Sequence, residues 1–323
     1  MSGSCSGVQT RIRKIAPQAI YVHCNAHCLN LCLVDCAKAI REASDFFASL
    51  ETLYVFLSSS KCHSIFMQQQ KEIYPDKQPR QLQRLSDTRW ACRQGAVNAV
   101  CYTFDAIVAT LSTVIEGNNG AKSAEARGLL AQVNSFQFVL CLVIFDRILS
   151  CTKSLSDVLQ STQLDLARAA GLVSATVETL EEFRSDQEWQ KVLVYCEIIC
   201  KVHKVSTDTT SRPRKLPRHL EENFVLESTG TRDTSAEYKI NLYYPVIDAF
   251  LSELRDRFTD KNKSIMQALQ ACNPTCSHFL DPAHLEPLIN TYGLDQYALE
   301  LELPLAKRTV ARKDLQDISD AIL

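Results

Sequence analysis

Glycine and proline are scarce, 9 and 10 in 323 residues. So few turn-formers favour helices over a sheet of many short hairpins. No apolar run reaches the roughly 18 residues a membrane span needs. The longest, Phe138 to Phe145, reads FVLCLVIF. The N-terminal MSGSCSGVQTRIRK has no apolar stretch leading to a small-residue cleavage site, so it does not read as a secretory signal. Neither sign of charge dominates: 35 Lys plus Arg face 37 Asp plus Glu, for a net charge of -2. A DNA-wrapping protein carries a basic excess, so a nucleic-acid contact here would need a local patch. The P-loop, GxGxxG, GxSxG and HExxH patterns are all missing. No carboxylate pair is singled out by local spacing.

What is present is ordinary globular composition, 46% hydrophobic and 22% charged. That excludes collagen, coiled-coil and globally disordered classes. The length suggests two domains, or one with a large insertion. Fourteen cysteines without a signal peptide read as thiols in a reducing, intracellular compartment.

Ile20-Tyr21-Val22-His23 is short, β-branched and aromatic and predicts a strand. From Asn25, Leu29, Leu33, Val34 and Ala37 recur at helical spacing, predicting a helix to about Phe47. A second helix is expected from Leu50 to Phe66, then a polar loop at Pro75 and Pro79. Val97, Val100, Cys101, Phe104, Ile107, Val108, Leu111 and Ile115 form a stripe of period 3.6 that stops at Gly117-Asn118-Asn119-Gly120. Residues 124–149 are apolar nearly all round from Phe136, where periodicity does not separate a buried strand from a buried helix; a helix is preferred, because Ile148, Leu149, Leu155 and Leu159 continue it without a turn signal. Further helices are expected at Leu164–Phe183, Trp189–His203, from Pro245 through Phe258, at Ile265–Leu269 and at Leu285–Leu294. The pattern at Lys313–Leu323 is still amphipathic at the last residue and is expected to continue in a longer domain. Residues 206–235 read as a polar, proline-punctuated loop carrying Arg212, Arg214, Lys215 and Arg218.

Several constellations invite chemistry. Cys24, Cys28, Cys32 and Cys36 fall every four residues, on one helical face. Their first and last rise about 18 Å apart, too far for one tetrahedral ion. Cys196, Cys200 and His203 form a second set, and Cys272, Cys276 and His278 a third. Core packing is the preferred reading of all three, with a zinc-stabilised scaffold as the alternative. Ser86-Asp87-Thr88-Arg89-Trp90 reads as a helix cap, and its Arg-Trp pair could also grip phosphate and stack a base. The basic loop could touch phosphate, or act as a solvated linker or a nuclear import signal.

Taken together, Gly7-Val8-Gln9 running into Tyr21-Val22-His23-Cys24-x2-His27-x-Leu29-Asn30-Leu31, the Leu85-Ser86-Asp87-Thr88-Arg89-Trp90 segment and Tyr238-x-Ile240-Asn241-x2-Tyr244-Pro245-Val246-Ile247-Asp248 resemble the hAT-superfamily transposases. The likeness is greatest to domesticated relatives of the zinc finger MYM-type protein 1-like and DUF4371-containing kind, and it covers nearly the whole chain. The resemblance implies a mainly α protein: a remnant RNase H-like α/β core of few strands, interrupted by a large all-helical insertion. It implies core residues at 1–24, the insertion at 25–294 with a mobile basic loop at 206–235, and the start of a C-terminal core and dimerisation region at 295–323.

In active members of that family three carboxylates hold two Mg²⁺ ions. The resemblance places the first two acids upstream of Met1 and leaves Glu300 or Glu302 as the third. One acid cannot hold a metal pair, so the expectation is a chain without enzymatic activity, with no cofactor and no bound metal; the alternative is an active metal-dependent nuclease in which other acids, such as Asp35 or Asp146, substitute. Cys24 and His27 match the family's C-x2-H motif, and Cys28 stands where relatives commonly carry a larger residue. Arg89 and Trp90 match the family's base-stacking pair. Together with Arg212, Arg214, Lys215 and Arg218 they are the expected DNA contacts. The implied partners are DNA, a protein or a second copy of the chain, in the nucleus, with neither membrane nor small-molecule substrate.

Overall fold

A computed structural model of the chain describes residues 7–21, 23–86, 90–117, 120–161, 166–205, 234–274 and 276–313. The protein is mainly helical, and no β-strand occurs among the described residues. The helices are α1 (Val8–Ile15), α2 (Asn25–Ala39), α3 (Arg41–Leu57), α4 (Ser60–Ile73), α5 (Trp90–Glu116), α6 (Ala121–Val133), α7 (Phe136–Cys151) and α8 (Lys153–Leu159). They continue as α9 (Leu166–Phe183), α10 (Asp186–His203), α11 (Thr234–Tyr238), α12 (Tyr244–Arg257), α13 (Asp260–Gln270), α14 (Pro282–Tyr292) and α15 (Gln296–Lys313). The described residues fall into two compact units. One comprises parts of Met1–Cys32, Thr152–Glu178 and Ser252–Leu323, the other parts of Leu33–Cys151 and Thr179–Leu251.

The second unit is built around α7. Every residue from Phe138 to Phe145 is buried, as are Ile148 and Leu149. A helix apolar on all sides must be covered on all sides, and α3, α5, α6 and α10 pack against it. On the α3 side, Phe46 stacks on Phe145 at 5.6 Å between centroids, and Phe47 meets the same ring edge-on at 4.7 Å. Phe138 closes the cluster 5.2 Å from Phe46. On the α10 side, Trp189, Val192, Cys196 and Cys200 turn inward. Ser185 caps α10 by accepting the Glu188 amide. An Arg147–Glu188 ion pair ties α7 to α10, and the Arg147 guanidinium lies over Phe183. Within α5, Ala91–Glu116 is long and apolar enough to cross a membrane, with half of its apolar window buried. It packs on α4, α6 and α7 as a core helix would. It is kinked at Thr103, whose hydroxyl donates to the Ala99 carbonyl at 2.7 Å; such back-bonding bends helices.

In the first unit, α13 and α14 pack together. Ala271, Leu285, Ile289 and Leu303 form a small buried core, with Cys272, Leu280, Leu288 and Leu299 against it. α14 is punctuated in full: Asp281 at the N-cap, Pro282 at the first position, and Gly293 with φ 62° closing the C-terminus.

Several expectations need correction. Ile20, Tyr21 and His23 lie in irregular backbone, and Val22 lies outside the described residues. β-Branching favours a strand only where a neighbour supplies the hydrogen-bond ladder, and no strand is available among the described residues. The predicted helix over 25–47 is two helices meeting at Ile40, which has extended φ and ψ. The predicted helix over 50–66 breaks at Ser58 and Ser59. Residues 124–149 are interrupted at Asn134 and Ser135, and the run-on to Leu159 at Thr152. The helix expected to begin at Pro245 starts earlier, at Thr234, and passes through a π-helical turn at Lys239–Tyr243. Pro245 offers no amide to the Asn241 carbonyl and its ring crowds that carbonyl, which accounts for a widened turn just ahead of it.

Phe145→Ala should destabilise the chain by about 3–5 kcal/mol, whereas Val194→Ser on the exposed face of α10 should stay within about 0.5 kcal/mol. Urea unfolding of the two variants compares them.

Candidate functional site

The approach to α5 carries the described part of the Ser86–Trp90 segment. The chain from Tyr74 to Ser86 is laid down by side chains rather than by regular structure. Buried Gln70 makes a reciprocal pair with the Arg80 backbone, donating to its carbonyl and accepting its amide, both at 2.8 Å. The Arg80 guanidinium sits 3.8 Å from the Tyr102 ring centre, with Lys77 at 4.9 Å from the same ring. The Tyr74 hydroxyl donates to Asp105 at 3.0 Å. Burial and that neighbouring carboxylate push the Tyr74 phenol up to about 12. Further on, Glu51 of α3 accepts the Leu85 amide at 3.1 Å and pairs with Arg84 at 3.3 Å. A cleft of about 450 Å³ opens here, lined by Lys38, Phe47, Glu51, Arg84 and Arg93 among others. Arg93 is buried, its guanidinium 4.6 Å from the Phe47 ring. The cleft is cationic on balance, so an anionic group suits it. Asp87, Thr88 and Arg89 lie outside the described residues. Trp90 opens α5, and its side chain also lies outside the description.

The C-x2-H motif occupies the first turn of α2, in the other unit. The Cys24 carbonyl accepts the Cys28 amide at 2.9 Å and starts the helix. The Cys24 side chain is exposed, His27 is half-buried, and the His23 and His27 rings lie 5.2 Å apart. A smaller cleft of about 170 Å³ is lined there by Tyr21, His23, Asn25, Cys28, Arg257 and Met266 among others. Asn25 donates to the Met266 sulfur at 3.3 Å, and Arg257 pairs with Glu253 one turn earlier at 2.7 Å. Burial lowers the proton affinity of His23, with smaller contributions from His27 and Arg257. Burial pushes the Cys28 and Cys32 thiols upward. A protonated thiol is a poor nucleophile and metal ligand. The chemistry this turn offers is hydrogen bonding by two imidazoles beside a guanidinium.

The other residues singled out by sequence are dispersed. Arg212, Arg214, Lys215 and Arg218 lie outside the described residues. Glu300 and Glu302 are both exposed on α15, and Glu300 accepts from Gln296 at 3.1 Å. Cys196 and Cys200 are buried, with burial raising both thiols, while His203 pairs with Asp105 and rests on Phe104. In the third cysteine set, Cys272 packs on the small core and donates to the Ala268 carbonyl. Its histidine instead faces Asp281 and His284. Sequence reasoning missed these two, as well as Glu51, Gln70 and Arg257. The first pair was legible as a His-x2-Asp-x2-His spacing. The others depend on contacts between distant segments, which no local pattern reports.

The architecture therefore defines a mainly helical protein with a cationic cleft and no assembled carboxylate centre among the described residues. Over 276 residues the chain is 25% identical to the human "52 kDa repressor of the inhibitor of the protein kinase" and 24% identical to the mouse protein of that name. Each alignment covers 81% of this chain and 35% of the relative, so the chain spans about a third of the length of the curated relatives it matches. No family model matches, and no solved structure matches.

His23 gives a pH dependence with a definite sign. Its pKa is lowered on folding, from an ordinary value of 6.5. The unfolded chain therefore binds that proton more readily, and stability drops as pH falls through 6.5 towards the folded-state pKa. His23→Gln should flatten this part of the profile. Urea midpoints between about pH 7.5 and 5.5 measure it, and an unchanged slope in the variant would refute the assignment.

Proposed function

We propose that this chain is part of a transposase-derived regulatory protein of the hAT kind, one that holds nucleic acid or protein partners in the nucleus and does not cut DNA. The observation that carries this reading is the similarity, along 81% of the chain, to proteins named as repressors. On this reading residues 25–294 form the large helical insertion, and residues 1–24 and 295–323 belong to an RNase H-like core. Mg²⁺ would be held there in active members, and Glu300 or Glu302 is the counterpart of the third acid.

Nucleic-acid contact is assigned to Arg89, to Trp90, which opens α5, and to Arg212, Arg214, Lys215 and Arg218. The anchored cations Lys77, Arg80 and Arg84 on the approach to α5 support this, since a phosphate backbone is attracted by cations whose positions are already fixed. Stacking on Trp90 would be sequence-tolerant, as every base has a π-face. A second copy of the chain, or another protein, is the alternative partner of the same surface.

Two experiments test the reading. Binding to duplex DNA across a salt series should show a log–log slope that falls by up to about 3.6 when Arg212, Arg214, Lys215 and Arg218 are replaced by Gln, at roughly 0.9 per phosphate contact. Trp90→Ala should weaken single-strand binding by about 1–3 kcal/mol. Affinity insensitive to salt and to both sets of changes would exclude the DNA assignment. Incubation of DNA with Mg²⁺ or Mn²⁺ should leave it intact. Cleavage that disappears in a Glu300→Gln, Glu302→Gln double variant would overturn the non-catalytic reading.

A further inference from the structure

The loop between α13 and α14 carries a donor set unused in the reading above. His278, Asp281 and His284 recur every third residue, across Pro282. Asp281 caps α14, one carboxylate oxygen accepting the Ala283 amide at 3.1 Å. That bond fixes the carboxylate and leaves its second oxygen facing both imidazoles, 3.2 Å from Nδ1 of His284 and 4.0 Å from Nδ1 of His278. One donor atom from each of the three residues lies within 4.8 Å of the others. The two rings are nearly parallel, 18° apart with centroids at 4.2 Å. Nδ1 of His284 is buried, and its polar neighbour is the Asp281 carboxylate oxygen at 3.2 Å. It sits beside the carboxylate as one ligand sits beside another.

The backbone holds this arrangement in place. Leu280 takes a left-handed conformation, φ 50°, uncommon for a side chain of its size. Its amide donates to the Ala271 carbonyl at 2.6 Å, and its side chain packs on the core of Ala271, Leu285, Ile289 and Leu303. The Asp281 amide donates to the His278 carbonyl at 3.0 Å. Each of the three donors is thus on, or next to, a residue that the fold pins. Backbone strain of this kind persists only where its surroundings enforce it.

We propose that His278, Asp281 and His284 form a binding site for a borderline divalent transition ion, zinc foremost. Two imidazoles and one carboxylate suit zinc, whereas calcium and magnesium select all-oxygen sets. Ligands about 2.0–2.1 Å from a tetrahedral ion are separated from one another by roughly 3.3 Å. The His284–Asp281 pair already meets that spacing. An imidazole holds its ion in the ring plane, so His278, with 53% of its side chain exposed, would turn its ring out of the stack with His284 to close the remaining gap. Three protein ligands leave a fourth position for water or for a donor from a partner. The bound ion would fasten the 271–281 loop to the first turn of α14.

The test uses the full chain, stripped with a chelator and titrated with Zn²⁺ by calorimetry and with Co²⁺ by visible absorption. One ion per chain is expected. His278→Ala and Asp281→Asn should each weaken binding by about tenfold or more. Asn caps a helix as well as Asp does, so the second variant removes the charge and keeps the fold, which circular dichroism verifies. A Cys272→Ser, Cys276→Ser double variant should bind as the parent does. Absence of stoichiometric binding, binding unaffected by Asp281→Asn, or binding lost in the cysteine variant would each overturn the assignment.

Discussion

The second unit depends on the need to cover α7. Eight consecutive buried residues leave that helix no solvated face, so its neighbours must close around it. The Phe46, Phe47, Phe138 and Phe145 rings do so on one side through one tilted, one stacked and one edge-on contact. Trp189 and the buried cysteines of α10 do so on another. The polar groups that cross this region are tied down: Arg147 to Glu188, and the Tyr243 hydroxyl to the Phe183 carbonyl at 2.5 Å. A buried polar group without a partner would cost about as much as a core methyl group contributes.

The same economy explains how irregular chain is positioned. Residues 74–86 form no helix, yet Gln70, Asp105 and Glu51, each on a helix, take hold of Arg80, Tyr74 and Leu85 in turn. A loop fixed in this way presents its cations with little left to order when a partner arrives, which lowers the entropic cost of binding. The 271–281 loop of the other unit follows the same logic, with a backbone bond at Leu280 as its anchor.

Helix content was legible because it is written in the spacing of apolar residues. Val246, Ile247, Phe250, Leu251, Leu254 and Phe258 are all buried, as their periodicity requires. The ends were harder to read. The interruptions at Ile40, Ser58–Ser59 and Asn134–Ser135 contain neither glycine nor proline, and packing rather than local propensity sets them. The Ile20–His23 segment has strand composition but no neighbour to pair with among the described residues, and composition cannot report that. For the candidate sites, sequence indicated the turn at Cys24–His27 and the start of α5. It could not indicate Arg257 or Glu51, which reach these places across long stretches of chain. The His278–Asp281–His284 spacing is visible in the sequence, but the convergence of the three side chains depends on the left-handed turn at Leu280, which spacing does not report.

Burial of the cysteines has a consequence for how this protein fails. Cys28, Cys32, Cys36, Cys62, Cys141, Cys196 and Cys200 lie inside the fold, and those of them with raised proton affinity are chemically quiet. Unfolding would return them to ordinary acidity, near 8.5, with an appreciable fraction as reactive thiolate. In an oxidising medium such thiolates cross-link, and a chain cross-linked before it refolds does not regain the native state. Packing keeps this sulfur inert, so its access to oxidants is tied to the opening of the fold.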